Sequence, residues 1–150
     1  MYKAIVRRKI LKQWDRLNRA DFDLILSETP DHFEHTFSGD NALGGTRHTK
    51  DGFRRWFQRL HRIFPEHRME VRDIGVLGWP WDTTVLVEWH NDAEPADGVP
   101  YKNDGVHVIR LRWGKPTHVH GYLDTEKVTE VCDRLAAAGM AEAAAPPVAD

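Results

Sequence analysis

The sequence predicts a single α+β domain, and three observations carry that reading. Helix-period segments dominate the first 64 residues, broken by one short alternating run. Four strand-like runs separated by turn residues follow, and a last helix closes the pattern. The resulting order, α-α-β-α-β-β-β-β-α, places helices mainly before an antiparallel meander, which is an α+β arrangement.

Each element has a local reason. Val6, Ile10, Trp14 and Leu17 recur at three to four residues and share one helical face. DFDLILSETP predicts a short second helix that Pro30 ends. HFEHTFSG alternates, with Phe33, His35 and Phe37 on one side and His32, Glu34 and Thr36 on the other. NALGG reads as a loop. TKDGFRRWFQRLHRIFP is the strongest helix: Phe53, Trp56, Phe57, Leu60, Ile63 and Phe64 form its apolar stripe, Thr49 its cap, and Pro65 its stop. Arg54, Arg55, Arg59 and Arg62 fall between these and read as its wet face.

RMEVRDIGVL, TTVLVEWHN, YKNDGVHVIRLRW and THVHGYL are the strands of the meander, divided by GWPWD, DAEPADGVP and WGKP. Asp124 stands in cap position for a helix from about Thr125 to Ala138, with Gly139 as its stop. One domain, residues 1–140, is therefore expected, with 141–150 as an Ala/Pro-rich tail, mobile unless a partner orders it.

Composition narrows the function classes. The chain has 150 residues, 41% of them hydrophobic, and a net charge of −2, so the overall balance points to neither nucleic acid nor membrane. A single cysteine, Cys132, excludes an internal disulfide and any Cys-rich zinc site. Neither a signal-peptide core nor a membrane-spanning run is evident, and a cytoplasmic location is expected. Walker A, G-x-G-x-x-G, G-x-S-x-G and H-E-x-x-H patterns are all lacking, so no cofactor is expected.

Nine histidines and six tryptophans supply the candidates. In THVHGYL, His118, His120 and Tyr122 share one face and Val119, Gly121 and Leu123 the other. His118 and His120 could form a metal-binding pair, but no third ligand is nominated, and an outer-face location is the preferred reading; no metal is expected. Trp14 and Trp56 read either as the roof of a ligand pocket or as plain core. Trp79 and Trp81, flanking Pro80, read as a pocket rim, a dimer contact or a packed turn.

The blocks DFDLILSETPDHFEHTFSG, the GG before the third helix, the FP ending it, VRDIGVLG, TVLVEW, DGVPYKNDGVHVIRLRWGK and GYLDT together resemble the nuclear transport factor 2-like superfamily. The SnoaL-like polyketide cyclase and ketosteroid isomerase-like branch is the most similar. The resemblance implies a cone, a strongly bent sheet wrapped around helices with a pocket on its concave side, and homodimers paired through the sheet. In such enzymes the position of Gly121 often carries the catalytic aspartate, so the main acid–base group of those reactions is missing here. His107 lies fourteen positions earlier, at the spacing of a pocket histidine in cyclase-like relatives.

The expected site follows. His107 would be the base or acid, or donate a hydrogen bond to a developing enolate, with His35 as second catalytic candidate. Trp14, Phe33, Phe37, Trp56, Trp89, Asn91, Tyr101 and Asn103 would contact the ligand, with Asn103 polarising a carbonyl. The expected activity is binding of a small apolar carbonyl compound, with proton-transfer chemistry of the isomerase or cyclase kind. The alternative is a non-catalytic binding or dimerisation module of the same fold.

Overall fold

The computed structural model describes residues 1–150. Its elements are α1 (Tyr2–Asn18), α2 (Phe22–Ser27), β1 (His32–Phe37), β2 (Gly45–Thr49), α3 (Lys50–Ile63), β3 (Glu66–Trp79), β4 (Asp82–Glu94), β5 (Tyr101–Arg112), β6 (Lys115–Leu123) and α4 (Thr125–Ala137), then a 3-10 turn at Ala141–Ala144. No helix is long and apolar enough to cross a membrane.

One sheet runs in the order β2-β1-β6-β5-β4-β3. β3 to β6 form the antiparallel meander, with register shifts at Val71/Asp73 and Arg110/Leu111 that add local bend and twist. The concave side holds the helices. Val6, Ile10 and Trp14 of α1 bury against Ile74, Val76, Val85, Val87, Ile109 and Leu111. Asn18 anchors the far end of α1 by bracketing Met69, donating to its carbonyl at 2.9 Å and accepting from its N–H at 2.8 Å. A second core gathers the apolar stripe of α3 with β1 and α4, and Phe22 of α2 stacks on Phe57 at 4.6 Å. The cavity of this protein is lined by side chains from both cores.

The helix caps follow the sequence. Thr49 accepts from Gly52 N–H at 3.0 Å and Asp124 from Glu126 N–H at 3.2 Å, each occupying one of the N–H groups a helix start leaves free.

Three expectations change. The sheet is mixed, because β1 pairs parallel to β6, aligning His35 with Val119 and Phe37 with Gly121. Residues 45–49 form an added edge strand pairing β1, where a loop and helix start were expected. GTRHT is too short for its pattern to signal a strand.

The third change concerns the tail. It packs on α3, with Ala143 and Val148 buried. Arg59 donates to the carbonyls of Ala42 (2.9 Å) and Pro146 (2.7 Å), Arg55 to that of Ala149 (2.8 Å), and Arg62 holds Glu142 through two bonds. Arg47, fully buried, donates to the carbonyls of Val148 and Gly44. Much of the supposed wet face of α3 is thus a row of cationic donors for a segment with free carbonyls.

Candidate functional site

Between the helices and the concave sheet lies a cavity of about 630 Å³. Its wall is mainly apolar and includes Trp14, Phe33, Phe37, Trp56, Trp89 and Tyr101, with His35, Asn91 and His107 among the polar members. That size suits a small organic molecule.

His107 owes its setting to two glycines. In the β4–β5 register Trp89 faces Gly105, and with no side chain there the indole lies across β5 toward His107, two residues along. An ideal Cβ on Gly105 would come within 2.6 Å of Tyr122 O and would also strike the indole. Gly121 pairs with His107 across β5–β6, and a Cβ there would stand 3.1 Å from His107 Nε2 and 3.2 Å from Phe37 Cδ2. The position that carries an acid in resembling enzymes is therefore partly occupied here by the imidazole itself.

The indole Nε1–H of Trp89 donates to His107 Nδ1 at 2.7 Å. An indole nitrogen only donates, so Nδ1 must accept and the ring proton resides on Nε2. Burial pushes the pKa of His107 down to about 4, with His120 adding a smaller push in the same direction. The ring lies deep in the molecule yet keeps accessible surface, because it faces the cavity. Trp14 closes over it edge-on, with ring centroids 5.2 Å apart and planes at 89°.

His35 also lines the cavity but is committed elsewhere. Arg47 donates to its Nδ1 at 2.8 Å, and the ring is flanked by Phe53 and Trp56. Burial first, then the Arg47 charge, hold its pKa well below the ordinary histidine value. Trp56 is fixed by its own bond to Leu43 O at 2.8 Å.

Asn103 departs from expectation. It shares the inward face of β5 but does not line the cavity; its amide donates to Tyr101 Oη (2.7 Å) and Asp124 O (2.9 Å), tying β5 to the start of α4. Tyr101 and Asn91 are at the cavity wall as expected. The sequence reading missed His67, which Asn91 meets at 3.3 Å and whose pKa burial pushes down to about 4. Its place at the head of β3 is a lone position in a polar run, with no local signal of burial.

His118 and His120 stand on the outer face: His120 stacks on Tyr122 with centroids 3.8 Å apart and meets Ser38 Oγ at 3.0 Å. No group of three or more His, Cys, Asp or Glu is placed to hold a metal ion. Among carboxylates, only Glu28 lines the cavity, and it is paired with Arg16 at 3.0 Å.

A family model described as the SnoaL-like domain matches residues 10–119. Solved structures of the same fold include a nuclear transport factor 2-like protein of unknown function from Burkholderia pseudomallei, 17% identical, with TM-score 0.74 over 84% of this chain and 95% of that one. TerC, crystallised with polyporic acid, is 20% identical with TM-score 0.66 over 84% and 96%. A proposed polyketide cyclase from Xanthomonas campestris is 19% identical with TM-score 0.60 over 81% and 92%. Among curated proteins, none matches this chain.

Proposed function

The chain belongs to the SnoaL-like domain family, and from that premise we propose that it binds a small, mostly apolar molecule through a carbonyl or similar acceptor oxygen. The observation that carries this reading is the bond from Trp89 to His107, which turns a neutral imidazole into a fixed N–H donor at an apolar cavity. A neutral donor in such a cavity suits a neutral acceptor; the two cations of the lining, Lys9 and Lys115, are solvent-exposed, and an anion at His107 would lose its water without a buried cation to receive it. The structural neighbours that carry a polyketide cyclase description or were crystallised with polyporic acid support an organic ligand of this general size. We place the protein in the cytoplasm and take the outer face of the sheet, where Leu86 and Tyr122 stand exposed, as the surface through which two copies pair.

Catalysis is the second reading, and the same observation favours one form of it. A preorganised donor stabilises the negative charge of an enolate, which is half of an isomerase or cyclase site. The other half is a base. His107 is poorly suited to that part, because its free lone pair is already taken by Trp89. His35 has its Nδ1 lone pair engaged by Arg47.

The test is a thermal-shift and calorimetry screen of steroid enones, polyketide-like phenols, terpene epoxides and short keto acids, with NMR to detect turnover. A ligand at 100 times its Kd adds about 2.7 kcal/mol of stability. His107→Ala should remove the response and His107→Gln, which keeps an N–H near the same place, should retain part of it. A response unchanged in His107→Ala would end the assignment.

A further inference from the structure

The six tryptophans divide evenly. Trp14, Trp56 and Trp89 line the cavity, whereas Trp79, Trp81 and Trp113 are 66%, 52% and 73% exposed at one end of the sheet. Trp79 and Trp81 stack with centroids 5.7 Å apart and planes 6° apart, and Trp113 lies 6.2 Å from Trp81. Trp113 N–H donates to Pro80 O at 2.9 Å, which joins the β3–β4 and β5–β6 turns into one aromatic knob. The knob works against local preference: Trp113 has φ 51° and Gly114 φ 77°, a turn that favours Asn-Gly and disfavours a bulky first residue.

The knob adjoins the cavity mouth. The Tyr2 hydroxyl bonds that of Thr83 behind the β3–β4 turn, and Lys9 Nζ lies 3.8 Å from where a Cβ on Gly114 would stand. Ile5, Lys9, Gly114, Lys115 and Pro116 all line the cavity. Residues 1–14 carry Lys3, Arg7, Arg8, Lys9 and Lys12 and no acid, and residues 110–116 carry Arg110, Arg112 and Lys115 and no acid. The neighbouring acids are Asp82 in the turn and Glu28 across the mouth, the latter held by Arg16. A chain-wide charge of −2 conceals this concentration of cations.

We propose that this end of the molecule docks on an anionic lipid bilayer, with Trp79, Trp81 and Trp113 at headgroup depth and the cavity mouth turned toward the lipid. Tryptophan favours that depth because its ring is apolar and its N–H polar. Each Lys or Arg near an anionic leaflet adds electrostatic attraction that salt screens. An apolar ligand would then pass between bilayer and cavity without crossing water. A second copy is a poor occupant, since two-fold pairing sets like patch on like patch and cations on cations. Single-stranded nucleic acid is disfavoured because Trp79 and Trp81 stack on each other and not as spaced platforms for successive bases.

The experiment is vesicle flotation of the whole chain with phosphatidylcholine vesicles, with and without phosphatidylglycerol, following tryptophan emission. The protein should float with the anionic vesicles and lose binding as salt rises. Trp113→Asn, which suits the turn, should weaken binding at least about tenfold while leaving the melting temperature unchanged or higher. Lys9→Glu with Lys115→Glu should weaken it similarly. No binding to either vesicle, or equal binding by Trp113→Asn, overturns the proposal. So does a solution dimer that Trp113→Asn dissociates without any vesicle binding, or a single-stranded oligonucleotide that binds more tightly than the vesicles and displaces them.

Discussion

Trp89 on β4 reaches diagonally to His107 on β5, with Nε1 and Nδ1 2.7 Å apart, and that bond decides which nitrogen of the histidine carries the proton. Nitrogen NMR should show His107 as a single Nε2–H tautomer that titrates near pH 4. In Trp89→Phe the neutral form loses its donor, so the pKa should rise and both tautomers should appear. Observing an Nδ1–H tautomer in the unaltered protein would sink the donor assignment.

Gly105→Ala should be among the most damaging single changes. Its Cβ meets the backbone carbonyl of Tyr122 at 2.6 Å, so strand or indole has to move. A loss of about 2–3 kcal/mol is expected by urea denaturation, together with the tautomer mixing seen in Trp89→Phe.

Gly121→Ala is a milder case, with contacts of 3.1–3.2 Å to His107 and Phe37. About 1 kcal/mol of destabilisation is expected, along with weaker ligand response because the imidazole is displaced. Gly121→Asp tests the missing acid directly: its carboxylate should raise the His107 pKa by pairing with Nε2–H. A titration unchanged in that variant would show that residue 121 does not address the ring.

Stability should fall in mildly acidic solution. His67 and His107 are neutral in the fold down to about pH 4, against an ordinary value of 6.5, and His35 is shifted the same way. The unfolded chain therefore binds more protons between pH 6.5 and 4. Their contribution is complete above that window, declines as pH drops through it, and levels off below, at about 1.4 kcal/mol per unit of depression. The urea midpoint against pH is the measurement. His67→Gln and His107→Gln should each flatten the curve, and an unaltered slope in both would remove these histidines as its cause.

Deleting residues 141–150 should cost about 2–4 kcal/mol, because Val148 and Ala143 leave the core and Arg47 loses a buried carbonyl partner. Glu142→Gln should cost about 1 kcal/mol, since of its two arginine partners Arg62 is half exposed and the more buried Arg59 keeps its bonds to the carbonyls of Ala42 and Pro146. Equal melting temperatures for the deletion and the whole chain would show that the tail adds nothing to the fold.

Much of the cone was legible in the local pattern. The stripe of α3, the inward face of β6 with Val119, Gly121 and Leu123, and the cap at Asp124 all follow from periods of 3.6 and 2 and from single-residue chemistry. His107 was found because its strand alternates and its spacing to Gly121 resembles known relatives. Asn103 was misjudged because sharing a face does not say which member reaches the cavity and which is consumed by Tyr101 and Asp124.

By itself, then, the sequence determined the element order apart from β2, and most of the buried faces and cavity residues apart from His67 and Asn103, since these depend on neighbours within a few positions. Only the tertiary structure decided that β1 runs parallel to β6, that the arginines of α3 and Arg47 hold the tail, and that two distant turns bring three tryptophans together. It also decided the chemistry of His107, because the proton on Nε2 is set by an indole eighteen residues away that reaches it only across a glycine. Such pairings depend on contacts between segments far apart in the chain, which no local periodicity encodes.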